Sequence, residues 1–317
     1  MSAGLITRNQ VFVSTSHRAS SRTVRQLLAD LENRLGASTA LSAPDESAEL
    51  QREAREIVAV LLDASLGDVS RRSDEVVSAE ISTRAFDVAE RRSTGEPLAY
   101  CLGSAAFRHL VLNVDRRVLI PRAETEVVVD EALKAVQGRR GGIAVDIGTG
   151  SGAIALSLAT EGQFDRVIAT DISPDALDVA RTNAAGLTVR HSPIEFRLGA
   201  DLAPLAGIKA CLIVSNPPYI APDEAASLPA SVRDWEPALA LFADEGGMAR
   251  YDAILAGAPG HLEQGGWLVL ELDSRRAHET ARRATQDGRY TNVRLVRDLT
   301  GRDRVLVART VVDTISQ

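Results

Sequence analysis

Short apolar runs alternate with stretches of helical spacing from residue 143 onward, and this alternation restricts the fold more than any other feature. Five runs typical of buried strands cover residues 143–147, 167–171, 194–198, 212–215 and 267–272. Strands that alternate with helices predict a parallel, doubly wound sheet. Two further runs, 293–296 and 305–308, are separated only by residues 297–304, which contain RDLTGRD. They predict one antiparallel strand at the end of an otherwise parallel α/β sheet.

The composition is that of an ordinary globular protein. Its 317 residues, 45% hydrophobic and 25% charged, suffice for one large core and a smaller domain. The net charge of −7 and the isoelectric point near 5.4 argue against broad binding to nucleic acid. Cys101 and Cys211 are the only cysteines, and neither they nor the five histidines show metal-ligand spacing. We therefore expect a reducing compartment, no metal and no direct nucleic-acid partner. No apolar run is long enough to span a bilayer, so we expect no membrane partner either.

The N-terminal part predicts a tail followed by a helical domain. Residues 1–25 contain no Asp or Glu and are rich in Ser, Thr and Arg, a composition shared by transit peptides and by many bacterial N-termini. We predict a disordered tail over residues 1–23 and, from apolar residues at helical spacing, a helical domain over 24–100. The basic residues are almost all Arg, which is typical of GC-rich coding and favours a bacterial cytoplasmic protein. A mitochondrial location would apply if residues 1–25 were a transit peptide.

The segment between the helical domain and the alternating region predicts a β-hairpin linker over 101–122. Its short apolar runs at 106–107, 110–114 and 118–120 are typical of strands. The α/β domain then covers residues 123–317. The helical domain is either a cap on this domain or a unit that recognises a partner.

A glycine-rich loop follows the first strand of the alternating region. It consists of Gly148, Thr149, Gly150, Ser151 and Gly152. Glycines between a strand and a helix let the backbone pass close to a ligand that faces the helix N-terminus. A simple tight turn would have the same composition.

Acidic residues near the ends of the first three strands strengthen the cofactor interpretation of this loop. Asp171 ends the second strand, where a carboxylate can accept both hydroxyls of a ribose. Asp146, just before the glycines, would bear on the other end of the cofactor, directly or through water. Asp201 follows the third strand, where an adenine contact and an ordinary loop aspartate are both reasonable interpretations.

The tetrapeptide Asn216-Pro217-Pro218-Tyr219 follows the fourth strand and is suited to hold one planar NH2 group. The Asn216 side-chain carbonyl and the Pro217 backbone carbonyl can each accept a hydrogen bond from that group. The two prolines stiffen the loop, and Tyr219 adds a flat face. These groups lie after successive strands, at the carboxyl ends where open α/β sheets bind ligands. The combination predicts a class I methyltransferase fold with catalytic residues Asn216, Pro217 and Tyr219.

The chain resembles the release-factor glutamine methyltransferases of the HemK/PrmC type over roughly residues 50–310. The resemblance is carried by GEPLAY (95–100), IPRAETE (120–126), DIGTGSGAIALSLA (146–159), SNPPYI (215–220) and DLTGRDRVLVAR (298–309). It implies methylation by S-adenosylmethionine of the glutamine amide in the Gly-Gly-Gln motif of peptide chain release factors. It also implies that the helical domain recognises the release factor.

Two departures from the family pattern concern the cofactor site. Leu202 stands where some members have an aromatic residue after the position of Asp201, and the segment LELDSRRAHET (270–280) lacks the glycine-rich stretch usual after the residue matching Glu271. On the substrate side, Phe107 is a candidate wall of the site or a core residue. The resemblance also brings Arg122 and Glu124 to the substrate channel, although acids at a helix start need no such role.

Positioning is the mechanism that these residues suggest. Asn216 and the Pro217 carbonyl would take the two amide hydrogens and aim the nitrogen at the methyl donor. The closest rival interpretation is an adenine-N6 DNA methyltransferase, whose exocyclic amine offers the same two hydrogens after base flipping. A second alternative is a non-catalytic binding protein on the same fold. We expect the chain to act as a monomer.

Overall fold

The computed structural model describes residues 22–41 and 46–312, and these divide into two compact units between Thr94 and Gly95. The predicted tail up to residue 21 lies outside the described residues. Arg22 and Thr23, which the tail prediction included, form a short strand instead.

The first unit is mainly helical, and a two-residue strand pair closes it. Its elements are β1 (Arg22–Thr23), α1 (Val24–Gly36), α2 (Glu46–Leu61), α3 (Leu66–Arg71), β2 (Val76–Val77) and α4 (Ala79–Ser93). Helix α1 forms because its apolar residues recur every three or four positions and because Thr23 and Gln26 make a capping box at its start. Between α2 and α4, Arg92 donates two hydrogen bonds of 2.9 Å to the carboxylate of Glu53, which is almost fully buried.

The second unit is an α/β sandwich preceded by a helical turn and a hairpin. Before the sheet come α5 (Leu98–Leu102), β3 (Ser104–Phe107), β4 (Leu110–Asn113) and α6 (Ala123–Ala135). The first half of the sheet contains β5 (Ile143–Ile147), α7 (Ala153–Glu161), β6 (Arg166–Asp171), α8 (Pro174–Ala185) and β7 (Ile194–Leu198). After β8 (Ala210–Ser215) come the helical turns α9 (Ala230–Arg233), α10 (Ala238–Leu241) and α11 (Asp244–Gly247). The chain then forms α12 (Ala249–His261), β9 (Leu262–Glu271), α13 (Ala277–Gln286), β10 (Tyr290–Arg297) and β11 (Asp303–Thr310).

The seven strands have the order β10-β11-β9-β8-β5-β6-β7. Strand β11 pairs antiparallel with both of its neighbours, while the pairs from β9 to β7 are all parallel. The prediction of one antiparallel strand in a class I methyltransferase fold is therefore confirmed. The chain order reverses between β5 and β8, and a crevice opens at the carboxyl ends of strands at such a point.

The hairpin is shorter than the sequence suggests. Residues 118–120 do not form the expected strand, because they pair with no strand within residues 22–41 and 46–312, and the Tyr100 hydroxyl donates instead to the Val118 carbonyl at 2.6 Å. By its contacts the hairpin belongs to the second unit. Asn183 of α8 secures it, since its Oδ1 accepts from the Asn113 backbone at 2.7 Å.

Alternate residues of each strand supply the two halves of the core, as the period-2 geometry of a strand requires. Ala144, Leu212 and Val214 pack with α6, α7 and the hairpin on one face. Val145 and Ile213 face the other way, toward α12 and α13. Both faces of the central strands are thus covered by helices, and only the strand ends remain to bind a ligand.

Candidate active site

The glycine loop turns sharply between β5 and α7. Gly148, Gly150 and Gly152 have φ values of +71°, +53° and +87°, in the left-handed region that favours glycine. Apart from its chain neighbours, a Cβ at Gly148 or Gly150 would meet no atom of the described residues within 4 Å, so the space in front of the loop is open to them. Gly152 instead lies against Leu156 and Ala180. The loop therefore presents bare backbone to a cavity at the start of α7.

Asp171 binds the glycine loop and lines the same cavity. Its carboxylate accepts from the backbone nitrogens of Gly150 and Ser173, both at 2.9 Å. Burial raises the pKa of Asp171, and the backbone N–H groups partly offset that rise. Since a carboxylate has about four acceptor positions, Asp171 retains acceptors for ribose hydroxyls.

Asp146 lies behind the loop and is fully buried. Its Oδ2 accepts from the Thr149 hydroxyl at 2.6 Å and from the Ala155 backbone at 3.0 Å. Its Oδ1 has no hydrogen-bond partner among the described residues. Burial raises the pKa of Asp146 to about 7. An orphaned acceptor behind a ligand loop fits a water or a donor brought by the ligand.

Asp146→Asn should make folding stability less sensitive to pH. A carboxyl with a raised pKa holds its proton more strongly in the folded state, so its contribution to stability falls as pH rises from its unfolded pKa to about 7. Between about pH 5 and about pH 8, the free energy of unfolding of wild type should therefore fall by about 2–3 kcal/mol relative to that of Asp146→Asn. Urea unfolding at both pH values measures this, with Asp244→Asn at an exposed position as the matched control. Equal pH dependence in all three proteins would contradict the assignment.

The Asn216 loop begins directly beside the glycine loop. Ile147 of β5 pairs with Ser215 of β8, and the Ser215 hydroxyl donates to the Ile147 carbonyl at 2.7 Å. Asn216 follows immediately and donates from Nδ2 to Thr125 Oγ1 at 3.2 Å. The Thr125 hydroxyl in turn donates to Glu271 Oε2 at 2.6 Å. Thr125 and Glu271 are functional candidates that local sequence patterns did not single out.

One wall of the cavity comes from the segment before α6 and from the insertion after Asn216. Arg122 bonds Glu236 at 2.5 Å and ties the two segments together. The Arg116 guanidinium lies 4.0 Å from the centre of the Trp235 ring. Burial raises the pKa of Glu236, and the neighbouring Arg122 opposes the shift. Trp235 and Glu236 thus hold the wall in place.

The loop after β7 is held by an ion pair. Asp201, with φ of +48°, accepts from Arg250 at 2.8 Å, and both residues line the cavity. Leu202 is buried against α12 and does not line it. Arg250 is a further residue that sequence reasoning missed, because only the fold brings α12 to this loop.

The cavity has an empty volume of about 1140 Å³, a figure that includes open solvent at its mouth. It is lined by most of the predicted site residues: Gly148, Thr149, Gly150, Ser151, Asp171, Asp201, Asn216, Pro217, Pro218 and Arg122. The other predicted residues do not line it: Asp146, Gly152, Leu202, Tyr219, Phe107 and Glu124. Phe107 is buried in the half of the core that packs on α6 and α7. Tyr219 packs against the other half, between the sheet and α12.

The unusual segment after Glu271 does not line the cavity either. Asp273 accepts from Arg276 at 2.6 Å, and Arg276 also bonds Glu224 at 2.8 Å and the Gly246 carbonyl at 2.7 Å. This network connects the end of β9 to the insertion. The departure from the family pattern therefore changes an ion-pair network rather than the surface over the glycine loop.

Two kinds of feature are absent from the described part of the chain. No group of three or more His, Cys, Asp or Glu side chains within residues 22–41 and 46–312 could hold a metal ion. None of the helices described there has the length and apolar character that crossing a bilayer requires.

Comparison with known proteins gives two family matches. Residues 125–231 match the methyltransferase small domain, and residues 26–103 match the PrmC N-terminal domain. With the sheet topology, the first match defines the α/β unit as a methyltransferase.

Several curated relatives are similar along most of their length. The release factor glutamine methyltransferase of Moorella thermoacetica is 42% identical over 239 residues, which are 75% of this chain and 83% of that protein. The protein of the same name from Cereibacter sphaeroides is 37% identical over 261 residues, 82% of this chain and 91% of that protein. A solved release factor-specific protein-(glutamine-N5) methyltransferase from Alicyclobacillus acidocaldarius is 28% identical, covering 61% of this chain and 94% of that chain, with a TM-score of 0.39. From the curated relatives, the chain belongs to the release factor glutamine methyltransferase family.

Proposed function

We propose that this protein transfers a methyl group from S-adenosylmethionine to the side-chain nitrogen of the glutamine in the Gly-Gly-Gln motif of peptide chain release factors. The observation that carries the proposal is the meeting of the glycine loop and Asn216 in one cavity, after the neighbouring strands β5 and β8. The names of the relatives support the release factor as substrate. The match of residues 26–103 to the PrmC N-terminal domain supports a role for the helical unit in recognising it.

The residues of the cavity fit the proposed cofactor. Asp171 would accept the ribose hydroxyls, Asp201 would face the adenine, and the open backbone of the glycine loop would lie against the amino-acid end. The free oxygen of Asp146 would accept from that end through water. When bound, S-adenosylmethionine supplies an electrophilic methyl group on a sulfonium.

The Asn216 loop would orient the glutamine. Asn216 Nδ2 is engaged by Thr125, which leaves Oδ1 to accept one hydrogen of the substrate amide, while the Pro217 carbonyl accepts the other. An amide nitrogen is a poor nucleophile, because its lone pair is delocalised into the carbonyl. Fixing its geometry is worth on the order of 7–11 kcal/mol when the reacting atoms are close. Acceptors that hold the amide more strongly as positive charge develops on its nitrogen stabilise the transition state further.

Methyl transfer from labelled S-adenosylmethionine tests the substrate assignment. The purified protein is incubated with a release factor, with the same factor carrying Gln→Ala in its Gly-Gly-Gln motif, and with duplex DNA. We expect label only in the unmodified factor. Label in DNA would favour the adenine methyltransferase interpretation, and label in the Gln→Ala factor would place the modification on another residue.

A further inference from the structure

A buried hydrogen-bond chain runs from β9 through α6 to the Asn216 loop. Glu271 ends β9 and is 2% exposed, and Thr125 in the first turn of α6 is 4% exposed. The distances along the chain are 2.6 Å from Thr125 Oγ1 to Glu271 Oε2 and 3.2 Å from Asn216 Nδ2 to Thr125 Oγ1. Of these three residues, only Asn216 and Thr125 line the cavity.

The single hydroxyl proton of Thr125 gives this chain a direction. A carboxylate can only accept, so Thr125 donates its proton to Glu271 in a short, charge-assisted bond. Toward Asn216, Thr125 is then only an acceptor, and it must face the NH2 group rather than the carbonyl oxygen. The side-chain amide of Asn216 is thereby fixed in one of its two orientations, with Oδ1 left for another donor.

We propose that Thr125 and Glu271 are positioning residues for methyl transfer, which hold the Asn216 amide so that its Oδ1 faces the substrate glutamine. This inference rests on the proposed function, since it specifies how the acceptor for the glutamine NH2 group is kept in place. In the opposite orientation Asn216 would present its own NH2 group to that of the substrate. Two donors would then oppose each other, and only the Pro217 carbonyl would remain to accept from the substrate amide.

The orientation depends on the ionisation of Glu271. A protonated Glu271 can donate to Thr125, whose own proton then turns toward Asn216 and favours its carbonyl oxygen. Burial raises the pKa of Glu271 to about 7, while the Thr125 hydroxyl and nearby arginines oppose the shift. Methyl transfer should therefore weaken as pH falls through about 7. The charged and titratable groups that act on Glu271 are Arg304 of β11, Arg122 and Glu124 near the start of α6, Tyr219 of the Asn216 loop and Tyr251 of α12.

Thr125→Val keeps the shape of the side chain and removes the hydroxyl. We expect kcat for release-factor methylation to fall about 10- to 100-fold, as for a misplaced positioning group, with little change in KM for the release factor. Thr125→Ser restores the hydroxyl and should return kcat to within a few-fold of wild type. The matched control is Thr285→Val, which removes an exposed hydroxyl bonded only to the Ala281 carbonyl of its own helix. Binding of S-adenosylhomocysteine by calorimetry checks that each variant retains a folded cavity.

The pH profile of kcat distinguishes positioning from a purely structural role of Glu271, because a purely structural role would leave this profile unchanged. Wild type should lose activity below about pH 7, and Glu271→Gln, which cannot titrate there, should lose this acid limb. If wild type methylates the release factor but Thr125→Val matches its kcat, or Thr125→Ser is as slow as Thr125→Val, the inference is wrong. It is equally wrong if Glu271→Gln keeps the acid limb. A wild-type protein that does not methylate the release factor would instead overturn the proposed function.

Discussion

Asn216→Ala should lower kcat for methylation of the release factor by about 10²- to 10³-fold, the usual cost of removing one preorganised group that meets developing charge. Asn216 lines the cavity, and its Nδ2 is engaged by Thr125, so Oδ1 is the group available to the glutamine. Alanine removes that acceptor and leaves the Pro217 carbonyl in place. Single-turnover kinetics with saturating S-adenosylmethionine measure the chemical step directly.

A measurement of cofactor binding distinguishes loss of the amide acceptor from collapse of the site. S-adenosylhomocysteine should bind Asn216→Ala with an affinity within about tenfold of wild type, a loss of at most about 1.4 kcal/mol. Gln137→Ala removes another side-chain amide, at an exposed position just after α6 in the second unit, and as the matched control it should keep full activity. A single-turnover rate for Asn216→Ala equal to that of wild type would show that the amide is not held at this residue.

Asp171→Ala should weaken cofactor binding by at least about 100-fold. The carboxylate holds the glycine loop through Gly150 and lies where it can accept ribose hydroxyls. Two hydrogen bonds to a charged group are worth about 3 kcal/mol or more together, which corresponds to that factor. Calorimetric titration with S-adenosylhomocysteine gives the change.

The control for this substitution is Asp175→Ala, an exposed acid four residues farther along the chain in the first turn of α8. Its affinity for the cofactor should stay within a few-fold of wild type. Circular dichroism establishes that both variants are folded. If Asp171→Ala binds the cofactor as tightly as Asp175→Ala does, the ribose assignment fails.

The sheet could be predicted because its signals are local. Each central strand is an apolar run, since both of its faces are buried under helices, and the short final connection indicates the antiparallel β11. The expected strand at 118–120 failed for a non-local reason. Val118 is buried and Leu119 and Ile120 are half-buried, but the Tyr100 hydroxyl donates to the Val118 carbonyl that a strand partner would need. Short α3 was also not singled out, although Ser65 and Asp68 form a capping box at its start.

The site was predictable where residues follow the ends of strands. Asp171, Asn216 and the glycine loop line one cavity, as their places in the strand pattern suggested. Thr125 and Glu271 could not be paired in this way, because 146 positions separate them and only the packing of α6 on the sheet brings them together. The sequence leaves Phe107 open as a wall of the site or a core residue, because an aromatic residue in a hairpin has the same local pattern in both cases, and the structure places it in the core.

The most direct measurement is fragment-ion mass spectrometry of a release factor after incubation with this protein and S-adenosylmethionine. In the proposed function, the glycine loop binds the cofactor and the Asn216 loop holds the NH2 group of a release-factor glutamine. We therefore expect a single added methyl group on the glutamine of the Gly-Gly-Gln motif with wild type, and almost none with Asn216→Ala. A methyl group on any other residue would contradict this account, and so would a glutamine that folded wild-type protein leaves unmodified.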